Sequence, residues 1–175
     1  AQQVSAAPTD AVKQMKRRLI LSFCFLIPLF YLSMGHMMGL PIPHFFHGTE
    51  NALSFAFTQL LLTLPVAYLN RSYFQIGFKT LFRGSPNMDS LVAIGSAASI
   101  LYGIFAIYQM SYGLGHGDLE RVRQYAMDLY FEGASMILTL ITLGKYLENR
   151  SKGKTSEALT RLMDLAPKSA TVLRE

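Results

Sequence analysis

Three residues stand out as candidates for metal chemistry. Glu132 lies inside the last of four apolar stretches, and a carboxylate within a membrane is costly enough to be a functional candidate by default. Asp128 and Met136, four residues either way on a helix, cannot neutralise it. It reads either as an interfacial glutamate turned outward or as an ion ligand or release site. Glu148 ends the same stretch, with Lys152 four residues on in the favourable order for a surface ion pair. The two glutamates are 16 residues apart. That is roughly 24 Å along one helix, close to the thickness of a bilayer core. One helix could thus carry an acidic group at each mouth of a pathway. Met88 and Asp89 open the third stretch beside the Pro86-Asn87 turn. A thioether suits Cu(I), for which a carboxylate is not the usual partner; a lone methionine in a membrane helix also serves as packing. Met34, His36, Met37, Met38, His44 and His47 make a soft-ligand cluster by composition, or only a loop.

The elements that must position these residues are membrane helices. The chain has 175 residues, of which 51% are hydrophobic and only 15% charged, against roughly 25% charged in an ordinary globular domain. The apolar stretches predict spans at about Leu19 to Leu40, Ala52 to Leu69, about Leu91 to Tyr112 and about Met127 to Leu147. Each is near the ~20 residues that a bilayer requires. Pro28 and Pro65 fall inside spans, where neighbouring helices can re-satisfy the freed backbone groups. A four-span chain of this size has no room for a soluble catalytic module. It has no phosphate-binding glycine loop and no nucleophile–base constellation. The single cysteine, Cys24, excludes an internal disulfide or a CxxC site.

The net charge of +5 belongs to membrane topology rather than to nucleic acid. Fourteen Lys and Arg lie before the first stretch, between the second and third, or after the fourth; Arg121 and Arg123 alone lie in the other two loops. Both termini are therefore expected in the cytoplasm of a multi-pass cell-membrane protein. Residues 70–84 predict an amphipathic helix along that cytoplasmic membrane surface. Arg71, Ser72, Gln75, Lys79, Thr80 and Arg83 share one half of its wheel; Tyr73, Phe74, Phe78 and Leu81 share the other, with Ile76 and Phe82 less tidy. Such a helix would anchor on anionic lipid, dock a soluble partner, or do both. Gly84-Ser85-Pro86-Asn87 breaks it.

Residues 1–18 read as a cytoplasmic linker, and residues 148–175 as a cytoplasmic helical stub that Pro167 stops. The start at Ala1 and the end on SATVLRE suggest a piece of a longer protein. The expected fold class is an all-α membrane protein with four transmembrane helices and an amphipathic platform helix between the second and third.

Two segments carry a family resemblance. FKTLFRGSPNMDSLVAIGS is similar to the start of the third membrane helix of heavy-metal P-type ATPases. YFEGASMILTLITLGKYLENRSKGKTSEALTRLMDLAPKSA resembles their fourth helix and its cytoplasmic extension. The subgroup resembled is the bacterial copper-exporting ATPases, and the likeness runs from about Lys13 onward. It implies that residues 19–69 are the two class-specific helices, 70–87 the platform helix and turn, 88–147 the first two transport-core helices, and 148–175 the lead into an actuator domain. It implies a Cu(+) entrance at Met88 and Glu148 and an exit past Glu132. It makes Arg71, Lys79 and Arg83 the basic face of a docking platform for a copper chaperone or the protein's own metal-binding domain. The family often bends the platform at a Gly-Gly pair. Leu69 and Asn70 stand there in this chain, leaving the bend to Pro65 or Asn70.

The family's TGE, CPC and DKTGT motifs, its nucleotide-binding domain and its upstream CxxC domain are not among these residues. The parts that bind ATP and Mg2+ would therefore lie elsewhere in an intact pump. The resemblance implies that Cu(+) passes from the platform to Met88 and Glu148, on to cysteines outside this chain, and out past Glu132. A zinc- or cadmium-exporting relative of the same superfamily, and a free-standing four-helix adaptor or channel, are the other readings open at this point.

Overall fold

The structure is a computed structural model. It describes residues 7–165 apart from 36–37, 40, 42, 44–45 and 47, with side chains over 12–153 of these. The described residues form six α-helices and one 3-10 turn: α1 (Ala7–Gly35), the turn Thr49–Asn51, α2 (Ala52–Leu69), α3 (Arg71–Phe82), α4 (Met88–His116), α5 (Leu119–Met127) and α6 (Phe131–Leu165). Four segments are long and apolar enough to cross a membrane: Val12–Gly35, Thr49–Leu69, Met88–His116 and Leu119–Gly153.

Side-chain polarity in the bundle is arranged for lipid. Leu91, Leu101 and Ile27 face outward, while Ser22, Gln59, Thr63, Asn70, Ser96, Ser135, Thr139 and Thr142 are buried between helices. A water-soluble bundle sorts these residues the other way. In lipid no hydrophobic force draws helices together, so small and hydrogen-bonding residues make the contacts. The protein is thus a multi-pass membrane protein of all-α class.

Two apolar clusters sit at opposite ends of the bundle. Val66, Tyr73, Val92 and Leu138 pack at the end that carries α3, called here the platform end. Leu29, Ala52, Ala56, Ala106, Met110, Val122, Leu129 and Phe131 pack toward the other end. The Phe131 ring is fully buried and occupies the space of an absent side chain on α4. A Cβ on Gly103 would stand 2.3 Å from Phe131 Cζ.

The expected spans need four adjustments. The first helix begins at Ala7, within the segment read as a linker, and is described as far as Gly35, with His36, Met37 and Leu40 of the expected MGHMMGL extension outside the described residues. The third span fills Met88–His116, wider at both ends than expected. The fourth segment opens with a short helix, α5; Asp118 caps it by accepting from the Arg121 N–H at 3.1 Å. The long helix α6 then starts at Phe131 and continues without a break to Leu165. At roughly 52 Å, α6 outruns a bilayer core of about 30 Å, so its second half stands beyond it. Pro167 and the SATVLRE tail lie outside the described residues.

Candidate functional site

The bend before the platform is made at Asn70. This residue leaves the helical region (φ −103°, ψ 18°) and separates α2 from α3. Its side chain is fully buried and takes up three partners. The two Nδ2 hydrogens go to Ser22 Oγ on α1 at 2.9 Å and to the Val66 carbonyl on α2 at 2.9 Å. Asn70 Oδ1 lies 2.8 Å from the Thr142 hydroxyl of α6. That hydroxyl also stands 3.1 Å from the Tyr73 hydroxyl on α3. Pro65 lies inside α2. Asn70 therefore does by hydrogen bonding what a glycine pair does by backbone freedom.

From this corner α3 turns onto the start of α4. The contact is so close that a Cβ on Gly77 would stand 2.3 Å from the Asp89 carbonyl. Ser90 Oγ donates to the Gly77 carbonyl at 2.8 Å and lies 2.7 Å from Thr80 Oγ1. Gly84, in the left-handed region, ends α3; the Gly84 N–H bonds to the Leu81 carbonyl and the Ser85 N–H to the Thr80 carbonyl. This pair of bonds is a Schellman stop. Asn87 and Ser90 then cap α4 reciprocally. Arg18 of α1 ties the other flank by donating to Ser72 Oγ at 3.2 Å.

The face of α3 left open carries Arg71, Gln75, Lys79 and Arg83, all exposed. Ile76 and Phe82 are exposed with them, Phe82 at 86%. Ser72 and Thr80, read from the wheel as polar-face residues, are half-buried, because the buried line of the helix runs through Tyr73 and Gly77. The platform thus presents a mixed basic and aromatic surface. Arg71 also lies over the Tyr68 ring, 4.8 Å from its centroid.

Met88 and Glu148 are at this same end. Met88 is the first residue of α4 and 54% exposed. Glu148 projects from α6 with its side chain 58% exposed, and Lys152 Nζ donates to Glu148 Oε1 at 2.5 Å. Between the two helices Lys145 pairs with Asp89 at 2.5 Å. This link fixes the start of α4 against α6 one turn before Glu148. Sequence reading found Met88 and Glu148 but not the Asp89–Lys145 pair next to them along α4 and α6.

Glu132 is placed differently from expectation. It is the second residue of α6, because the helix starts at Phe131 and not at about Met127 where the span was expected to begin. The helix N-terminus favours a carboxylate there, which supplies the compensation that neither Asp128 nor Met136 offers. Even so, Glu132 Oε2 and Gln59 Oε1 are buried without a hydrogen-bond partner among the described residues. One turn nearer the platform end on α2, Thr63 meets α6 directly: Ser135 Oγ donates to Thr63 Oγ1 at 3.4 Å. Gln59 is fully buried; a glutamine in an otherwise apolar run was the signal for it.

Of the soft-ligand cluster, His36, Met37, His44 and His47 lie outside the described residues. Met38 is exposed in the turn after α1. Among the described residues no group of three or more His, Cys, Asp or Glu side chains gathers to hold a metal ion.

No family model matches the chain, and no solved structure matches it. Curated relatives do. The chain is 36% identical over 177 residues to a probable copper-importing P-type ATPase of Enterococcus hirae, covering 99% of this chain and 22% of that protein. It is 36% identical over 165 residues to a copper-exporting P-type ATPase of Staphylococcus epidermidis, covering 94% and 19%. It is 35% identical over 168 residues to a copper-transporting ATPase of Oryza sativa, covering 93% and 16%. The chain spans about a fifth of the length of these relatives. Their match along nearly all of this chain bears out the resemblance carried by its third and fourth spans: the chain is homologous to about a fifth of the length of P-type ATPases that are themselves named as copper-importing, copper-exporting or copper-transporting.

Proposed function

We propose that this chain is the leading transmembrane part of an ATP-driven Cu(+) exporter. It supplies a docking platform for a copper carrier, the copper entrance and part of the exit route. The observation that carries this reading is that Met88, Glu148 and the basic helix α3 lie at one end of the bundle, where Asp89 and Lys145 tie α4 to α6.

The platform is α3, with Arg71, Lys79 and Arg83 as the basic contacts and Phe82 as an exposed apolar one. A copper chaperone or a metal-binding domain of the same protein, carrying an acidic face, is the partner that fits it. Anionic lipid headgroups are the neighbouring surface. Cu(+) enters between Met88 and Glu148. The thioether is a soft ligand suited to Cu(I), and the carboxylate adds charge attraction without tight binding. Lys152 must release Glu148 for this, and an exposed pair four residues apart on a helix opens readily. Glu132, half-buried at the opposite end of the spanning part of α6 with its Oε2 unpartnered among the described residues, serves release. With the platform end cytoplasmic, the side that the Lys and Arg distribution favours, the ion moves outward. ATP and Mg2+ act in parts of the pump beyond these residues, where phosphorylation drives the change in access.

The relatives' printed names favour copper over zinc or cadmium, and they include both importing and exporting directions. Direction is therefore the point to test. Full-length protein in sealed vesicles of known orientation is supplied with ATP and Cu(I). Accumulation on the side away from the platform is the expected result. Accumulation on the platform side would overturn export, and ATP-independent flux would make the protein a channel.

A further inference from the structure

Three helices meet at one charged group beside the copper entrance. Lys145 Nζ of α6 lies 2.5 Å from Asp89 Oδ1 of α4 and 4.7 Å from the centroid of the Tyr73 ring of α3. The Asp89 side chain is 13% exposed and that of Lys145 32%, and Tyr73 is buried. The pair is thus much drier than Glu148–Lys152, and it bridges helices instead of turns of one helix. Cation–π contact with Tyr73 adds to its hold on the ammonium. Asp89 directly follows Met88, and Lys145 stands one turn before Glu148.

The composition of the entrance depends on this pair. Without Lys145 the mouth would hold one thioether and two carboxylates, a doubly negative set. Oxygen-rich, doubly charged sites suit divalent ions of hard or borderline character. With Lys145 in place, Asp89 is occupied by the ammonium. The entrance then offers one thioether and one carboxylate and a single negative charge, which matches a soft monovalent ion.

We propose that Lys145 is a specificity-determining residue: by holding Asp89 it keeps a second carboxylate away from the incoming metal and favours Cu(I) over divalent ions such as Zn(II). Lys145 touches no metal; it acts through Asp89. The proposal rests on Met88 and Glu148 being the entrance.

The test measures Cu(I) and Zn(II) affinities by equilibrium competition in the full-length protein that carries this chain, together with stimulation of ATP hydrolysis by each ion. Lys145→Gln frees Asp89 and is expected to raise the Zn(II)-to-Cu(I) affinity ratio on the order of tenfold, the usual scale for a residue behind a metal ligand. Lys145→Arg keeps the charge and the wild-type ratio. Asp89→Asn leaves an unpaired ammonium, which repels a divalent ion more than a monovalent one, so the ratio falls. The double variant Asp89→Asn with Lys145→Gln has no second carboxylate and returns to the wild-type ratio. A purely structural role would move stability in all of these and the ratio in none. An unchanged ratio in Lys145→Gln, or a raised ratio that persists in the double variant, overturns the proposal. If Lys145→Gln does not fold, Asp89→Asn decides: a raised ratio there contradicts it. Loss of Cu(I) affinity in Met88→Ala and Glu148→Ala is measured alongside. Unchanged affinity in both removes the entrance itself, whereas reduced affinity with no selectivity change in Lys145→Gln removes only the role of Lys145.

Discussion

Asn70, at the corner between α2 and α3, and Thr142, far along α6, are joined by a hydrogen bond of 2.8 Å with both residues buried. The same asparagine holds Ser22 of α1. One side chain therefore ties the platform to two spans that lie far from it in sequence.

Replacing Asn70 by Ala leaves Ser22 and Thr142 without this partner and is expected to cost on the order of 1–3 kcal/mol of stability. Asn70→Gly is the sharper comparison. It supplies backbone freedom at this bend but not the bonds, so it should fall with Ala in thermal unfolding of the detergent-solubilised protein. A glycine variant as stable as wild type would show that backbone freedom alone makes the corner.

Gly103 and Phe131 form the second close fit. Gly103→Ala puts a Cβ against the Phe131 ring and is expected to destabilise by about 1–3 kcal/mol, the usual range for overpacking. Shortening the ring should relieve it: Gly103→Ala with Phe131→Leu is expected to be less destabilised than the sum of the two single changes. Additive effects in the unfolding measurement would mean that the two helices shift apart freely.

The platform reading gives an electrostatic prediction. Arg71→Glu with Lys79→Glu should slow copper delivery from an acidic-faced carrier on the order of tenfold at low salt, with the difference shrinking as salt is raised. Stopped-flow transfer kinetics would measure it. Delivery that is unchanged at every ionic strength would reduce α3 to a lipid anchor.

Glu132 separates release from surface placement. Glu132→Gln keeps the shape and removes the charge. If the carboxylate serves release, ATP-driven Cu(I) transport slows several-fold while Cu(I) binding at the entrance is unchanged. Equal transport rates would return Glu132 to a plain interfacial residue.

The spans were legible because apolar length is a local property, and the second was read to the residue at Ala52 to Leu69. The amphipathic helix after it was legible for the same reason, as was its stop at Gly84. What sequence could not give were pairings across distance. Asn70 meets Ser22 and Thr142 at separations of 48 and 72 residues. Asp89 meets Lys145 at 56. Nothing in the pattern around any of them announces its partner. Ser72 and Thr80, on the polar half of the α3 wheel, are half-buried because each meets a neighbouring helix, Ser72 through Arg18 of α1 and Thr80 through Ser90 of α4, which the missing side chain at Gly77 lets come close. The short helix α5 escaped because LERVRQYAM is polar and sits between two apolar stretches, where a loop was the expectation. Met88 and Glu148 were found through the family resemblance; by spacing alone Glu148 read as a partner of Lys152, and that pair does form.

The most direct test of the copper entrance is ATP-driven Cu(I) transport by Met88→Ala and Glu148→Ala in the full-length protein, measured beside its phosphorylation by inorganic phosphate. The expected result is a marked loss of transport in each variant with phosphorylation by phosphate largely intact, since that reaction needs no ion delivered through the entrance. Wild-type transport rates in both variants would contradict the account and remove Met88 and Glu148 from the copper path.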